Sequence, residues 1–324
     1  MIFLYILLGL ILLVILVMLI ASFIPFKLKC SFTPNPAKSY ADAIERIAAI
    51  RAAETSPDLH PLCVTRAYTH GERVGNAIVF LHGFTACPDQ FDQLGRLYYE
   101  KGYNVYIPRL PRHGDTDPLG KSLQGMTAEE LAETAMQAVD IARGLGERVV
   151  VSGLSGGGTM TLWLSQNRTD VALAAPMAPF LGISMIPPFV SRALGHLPRL
   201  VPDFFIWWDP INKVNNPFAA PYSDTRFPVH AALEILRLSL SAQAQGRVTR
   251  PAAGSIVMIS NANDKTVNNR DIASFTNIWK TYGDDVVTAF QFEQSLGLPH
   301  DLIRPDRSDA RVDLVYPKLM ELVG

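Results

Sequence analysis

One short stretch of this chain restricts its folding more than any other. Residues 148–152 read RVVVS, an apolar β-branched run, and Gly153-Leu154-Ser155-Gly156-Gly157 follows at once, opening a helical stretch to Asn167. Glycines two residues to either side of Ser155 let a strand and a helix pack closely across a tight turn, and the serine then projects from that turn. The helix start gathers backbone N–H groups near Ser155, where developing negative charge needs donors. Out of context the same residues would suit a phosphate-binding turn or an ordinary glycine-rich helix start. No Lys follows as in a P-loop, and Gly-x-Gly-x-x-Gly does not match. Ser155 is therefore read as a nucleophile.

The rest of the chain supplies the sheet that such a turn requires. Strands are expected at 64–70, 77–81, 103–108, 148–152, 171–176, 256–260 and 286–292. Helices are expected at 39–54, 91–101, 127–145, 155–167, 269–282 and 308–323. AIVFL at 77–81 is wholly apolar, as a strand covered on both faces should be. Repeated βα units predict an α/β fold with a mostly parallel sheet and helices on both faces. Residues 177–250 interrupt the alternation and are far too long for a connection. They are rich in Pro and aromatic residues, with one helical stretch at 233–243, and read as an inserted lid. The expected organisation is a membrane anchor at 1–24, a linker and helix at 25–60, an α/β core at 61–176 and 251–324, and the lid at 177–250.

The N-terminal run from Ile2 to Ile24 carries no charge and is long enough for a helix to cross ~30 Å of hydrocarbon. It has no basic start and exceeds a signal-peptide core, so it reads as an uncleaved single-pass anchor. Lys29 stands before Cys30 where a lipoprotein site would carry a small residue. Lys27, Lys29 and Lys38 follow the run and no basic side chain precedes it, which predicts a cytoplasmic catalytic domain. Cys30, Cys63 and Cys87 are odd in number and widely spaced, and are expected as free thiols rather than a disulfide framework or metal site. With a formal net charge of −1 and interspersed charges, the chain lacks the basic stripe that nucleic acid demands. No metal or organic cofactor is implied.

A second motif, Leu81-His82-Gly83-Phe84-Thr85, directly follows the strand at 77–81. The segment FLHGFTACPDQFDQLGRLYYEKGYNVYIPRLPRHG resembles the front half of bacterial carboxylesterases and monoacylglycerol-lipase-like α/β-hydrolases. The resemblance extends from Ala77 to the C-terminus and is weakest across the lid. It implies the α/β-hydrolase fold, an oxyanion hole from the backbone N–H groups of Phe84 and Gly156, and a structural rather than catalytic His82. The chain departs from the family pattern at Arg112, where Gly is common, and no role is assigned to His113.

In this fold the triad runs in the order Ser, acid, His. His300, in Leu298-Pro299-His300-Asp301 after the last expected strand, is positioned as the base, whereas His60 and His70 come too early and His196 and His230 fall in the lid. Asp264, just after the strand at 256–260, resembles the acid of the family's Asp-x-x-Val segment; Asp284 and Asp285 are the alternatives, although Gly283-Asp284-Asp285 reads as a turn. The expected chemistry is ester cleavage through an acyl-enzyme on Ser155. A serine nucleophile argues against the related dehalogenases and epoxide hydrolases, which use Asp. Phe180, Phe189, Phe204, Phe205, Trp207 and Trp208 either line an acyl pocket or pack the lid on the core. With the anchor, they favour a medium-chain or lipid-like ester as substrate. An acyltransferase or amidase with the same triad, and a non-catalytic binding protein on this scaffold, remain the alternatives.

Overall fold

The computed structural model describes residues 2–24, 26–30, 32–183, 186–196 and 202–324. Helix α1 (Ile2–Ser22) is apolar along its whole length, and only Ala21 and Ser22 at its end are buried. By length and composition it is a candidate membrane span. Helix α2 (Tyr40–Ala53) starts where Ser39 accepts a hydrogen bond from the Asp42 N–H, an N-cap that satisfies one orphan donor.

A seven-stranded sheet forms the core, in the order β1-β3-β2-β4-β5-β8-β9. Its strands are β1 (Arg66–Tyr68), β2 (Val74–Leu81), β3 (Asn104–Ile107), β4 (Gly146–Leu154), β5 (Val171–Met177), β8 (Ile256–Asn261) and β9 (Val287–Phe292). Only β1, at one edge, runs antiparallel to its neighbour. The continuous apolar runs of β2 and β4 follow from their central place: Ala77 to Leu81 and Val149 to Val151 are shielded from solvent on both faces. Helices α3 (Asp92–Glu100), α4 (Ala128–Leu145), α5 (Gly156–Asn167), α8 (Asn269–Lys280) and α9 (Val312–Val323) supply the covering layers. A capping box between Thr127 and Glu130 starts α4.

The insertion between β5 and β8 has structure of its own. It holds α6 (Pro188–His196), a two-stranded antiparallel ribbon of β6 (Phe205–Trp207) and β7 (Arg226–Pro228), and α7 (Val229–Gly246). Helix α7 lies against α5, so the insertion is seated on the helix that follows Ser155.

Two sequence expectations change here. Cys63 and Cys87 are not free thiols but a disulfide, with Cα atoms 5.1 Å apart and both residues fully buried. Their separation of 24 residues carries no pattern; the fold pairs them by bringing the turn at Pro61–Cys63 beneath the loop that follows β2. Cys30 is the free cysteine. The segment after α1, expected as a linker, is fastened to the domain. Phe26 and Ala37 are buried, the Asn35 N–H donates to Asp140 Oδ2 at 2.6 Å, and the Ala37 N–H donates to the Asp140 carbonyl at 2.8 Å. Apolar side chains spaced through a Pro-rich stretch have no helical or strand period, so the sequence does not reveal their docking.

Candidate active site

Ser155 occupies the turn between β4 and α5 with φ 56° and ψ −113°, a backbone conformation that L-residues seldom adopt. The flanking glycines make it possible. A Cβ on Gly153 would overlap the Gly157 carbonyl, and a Cβ on Gly157 would overlap the Leu81 carbonyl at the end of β2. The Ser155 N–H donates to the Met177 carbonyl at 2.9 Å, which ties the elbow to β5. Gly156 is the first residue of α5, so its N–H has no acceptor within the helix. A Cβ on Gly156 would stand 3.1 Å from the Phe84 nitrogen, so the two expected oxyanion donors lie side by side next to Ser155.

His300 and Asp264, 36 residues apart in sequence, meet through a hydrogen bond of 2.6 Å between His300 Nδ1 and Asp264 Oδ2. The Asp264 side chain is fully buried, and its other oxygen accepts the N–H groups of Thr266 at 2.8 Å and Val267 at 3.2 Å. Three donors thereby fix the carboxylate, and its bond to Nδ1 leaves Nε2 of the ring for other chemistry. The alternative acid Asp285 is instead largely exposed and pairs with Arg250. His82 is buried, receives the Leu110 N–H on Nε2 at 3.0 Å and bonds the Gly83 carbonyl through Nδ1 at 3.0 Å. Burial holds it well below the ordinary histidine range, so the ring is a neutral brace for the loop. Burial likewise pushes His113 down to about 4.

Two cavities meet at Ser155. One, of about 240 Å³, is walled by apolar side chains including Phe180, Ile183, Phe227, Leu233 and Ile235. The other, of about 420 Å³, holds His300 with Gln90, Asn216, Asn263, Lys265 and Arg304. Phe84, Trp208 and Thr266 border both. Of the aromatics expected to line an acyl pocket, Phe180 and Trp208 line the apolar cavity, joined by Phe227. Phe204, Phe205 and Trp207 do not; the Arg226 guanidinium lies over the rings of Phe205 and Trp207, 4.3 and 5.3 Å from their centroids. Among the described residues, no group of three His, Cys, Asp or Glu side chains is placed to hold a metal ion.

Two positioning contacts are not contained in the sequence reading, which names Trp208 only as an acyl-pocket candidate. Gln90 accepts the Gly83 N–H at 2.8 Å and donates to Asp301 at 2.9 Å, which joins the loop before Phe84 to the residue after His300. Trp208 Nε1–H donates to Thr85 Oγ1 at 2.9 Å, which joins the lid to the same loop. Neither lies in a motif, and only the assembled fold brings the partners together.

The model of the alpha/beta hydrolase family matches residues 78–300, which include the elbow, the Phe84 loop, Asp264 and His300. This chain belongs to the alpha/beta hydrolase family. Over 184 residues the hydrolase is 25% identical to the thermostable monoacylglycerol lipase of Bacillus sp. (strain H-257), covering 56% of this chain and 68% of the relative. Its fold is similar to those of the metagenome-derived lipolytic enzymes LipS and LipT (TM-score 0.61, 17% identity, 82% of this chain and 98% of the other). It is similar too to the monoacylglycerol lipase of Paleococcus ferrophilus (TM-score 0.59, 14% identity, 80% and 97%). A third such fold is that of a soluble variant of the Saccharomyces cerevisiae monoglyceride lipase (TM-score 0.59, 11% identity, 80% and 90%).

Proposed function

We propose that this hydrolase cleaves carboxylic esters with an apolar acyl chain and a polar alcohol, through an acyl-enzyme on Ser155. The observation that carries the reading is the junction at Ser155 of an apolar cavity of about 240 Å³ with a polar one of about 420 Å³. An ester carbonyl over Ser155 then has its acyl tail among Phe180, Leu233 and Ile235 and its alcohol beside Asn216, Lys265 and Arg304. His300 Nε2 takes the Ser155 proton while Oγ adds to the carbonyl carbon, and Asp264 steadies the imidazolium from Nδ1. The Phe84 and Gly156 N–H groups receive the negative charge on the carbonyl oxygen. His300 returns the proton to the departing alcohol. Water, deprotonated by His300, then breaks the acyl–Oγ bond and frees the acid. The relatives, monoacylglycerol lipases among them, support the same class.

We further read α1 as an anchor in the membrane. The buried disulfide Cys63–Cys87 supports a catalytic domain on the oxidising side of that membrane, because such bonds are rare in the reducing cytoplasm. This reverses the orientation that Lys27, Lys29 and Lys38 suggest. Protease accessibility of the domain in intact cells, beside that in lysed cells, decides between the two orientations.

Fluorophosphonate labelling tests the nucleophile: the chain should label once, and Ser155→Ala should abolish labelling and lower turnover by ~10⁶. Labelling that persists in this variant removes the assignment. A p-nitrophenyl ester series should show rates rising with acyl length until the apolar cavity is filled. Preferential transfer to an added alcohol over water would make the chain an acyltransferase.

A further inference from the structure

The base of α1 is joined to the wall of the acyl cavity. Phe26, just beyond the helix, is 6% exposed and stacks on His196 of α6 with ring centroids 3.7 Å apart. His196 Nε2 bonds the Ile24 carbonyl at 2.9 Å. Phe26 also packs in a cluster with Val229, Leu233, Leu236 and Leu240 of α7. Val229 and Leu233 line the apolar cavity as well. A single layer of side chains therefore separates the root of the helix from the space assigned to the acyl chain.

Exposed apolar side chains border the same cavity. Alternation along β6 puts Phe204, Ile206 and Trp208 on one face, and they are 52%, 41% and 43% exposed. Ile206 and Trp208 border the cavity, while the Phe204 carbonyl accepts the N–H of Val229, a member of the cluster that holds Phe26. Large apolar side chains clustered in water around a cavity opening mark a contact surface.

We propose that this face rests in the bilayer that holds α1, so that the acyl chain enters the cavity from the lipid. The occupant is argued from continuity: an apolar helix buried only at its last two residues, Ala21 and Ser22, leads directly into the cluster behind Val229 and Leu233. A helix docked in this way is more than a tether, since it sets which face of the lid meets the membrane. The proposal rests on the reading of α1 as an anchor and of the apolar cavity as the acyl site.

Its test uses the full chain in phosphatidylcholine vesicles with brominated acyl chains, which quench tryptophan on contact. Trp163 and Trp279 are buried, so in a Trp207→Phe background the surface signal comes from Trp208. Its emission should fall strongly relative to unbrominated vesicles, and the loss should vanish in the Trp207→Phe/Trp208→Phe protein. Equal emission in both vesicles overturns the proposal, as does shielding of Trp208 from both bromolipid and acrylamide, which would mean that protein covers it. This readout needs no catalysis, so its failure leaves the ester reading standing. In a second arm, Phe204→Asp should preserve hydrolysis of a water-soluble short ester and lower hydrolysis of a vesicle-dissolved ester by about tenfold, the worth of burying one Phe side chain. Equal losses on both substrates would assign Phe204 to packing and overturn the proposal.

Discussion

The bond between Trp208 and Thr85 makes the loop of the proposed oxyanion donor Phe84 depend on the insertion, and its removal should give a measurable loss. Thr85 has φ 64°, a left-handed conformation that a β-branched residue adopts only when its surroundings impose it. Two contacts from the insertion do so: the Trp208 indole donates to Thr85 Oγ1 at 2.9 Å, and the Asp224 N–H donates to the Thr85 carbonyl at 3.1 Å. The residue before it, Phe84, supplies a proposed oxyanion donor. Trp208→Phe keeps an aromatic ring against Phe227, whose centroid is 4.5 Å from the indole, and removes one neutral hydrogen bond. That bond is worth ~0.5–1.5 kcal/mol, so kcat/KM should fall by about 2- to 12-fold, and by the same factor for acetyl and octanoyl esters. Trp208→Ala also empties one side of the acyl cavity, and should cost roughly fourfold more for each CH₂ that loses its contact. Trp207→Ala, at a residue outside both cavities, should spare the chain-length profile. Thr85→Val removes the same acceptor, so the double variant with Trp208→Phe should fall short of the product of the single effects by about 1 kcal/mol. Steady-state kinetics on p-nitrophenyl acetate and octanoate, with melting curves to verify folding, provide the measurement. Full additivity in that cycle, or a Trp208→Phe protein with wild-type kcat, would refute the coupling.

Asp264→Asn should lower kcat by about 10⁴ with a normal melt, because an amide facing Nδ1 favours the wrong tautomer, while Asp285→Asn should have no effect on kinetics. Loss of the Cys63–Cys87 bond in a Cys63→Ala/Cys87→Ala protein should cost roughly 3 kcal/mol of stability from the freed loop of 24 residues, read as a lower denaturant midpoint. Burial, with Asp115 nearby, raises the Asp224 carboxyl to about 7. Since its folded pKa exceeds its unfolded one, the protein should lose stability as pH rises from about 4 to about 7 and level off above. Asp224→Asn should flatten that slope in melts across this range.

The sequence disclosed those parts of the molecule whose physics is local. The glycines around Ser155 and the apolar run of β2 each announce their conformation within a few residues. The pairing of His300 with Asp264 could be anticipated because the fold fixes which strands they follow. The lid was legible only as an interruption. Its ribbon is two strands of three residues each, too short for a period to appear, and so the aromatics on its two faces could not be sorted. The disulfide, the Gln90 bridge and the docking of Phe26 all join distant segments through single residues, and no spacing along the chain encodes such contacts.

The close crossing at Gly157 also bears on how such a protein can diversify. Because any side chain there would strike the Leu81 carbonyl, α5 and the strand leading to Phe84 share one backbone contact. The reach of Ser155 and the aim of the Phe84 N–H are thus inherited as a unit, and neither can drift without the other. The walls of the apolar cavity come from elsewhere, mostly from the insertion at Ile183, Ile206, Phe227 and Leu233. A lineage built on this frame can exchange its lid, and with it its diet of substrates, without retuning the reactive turn.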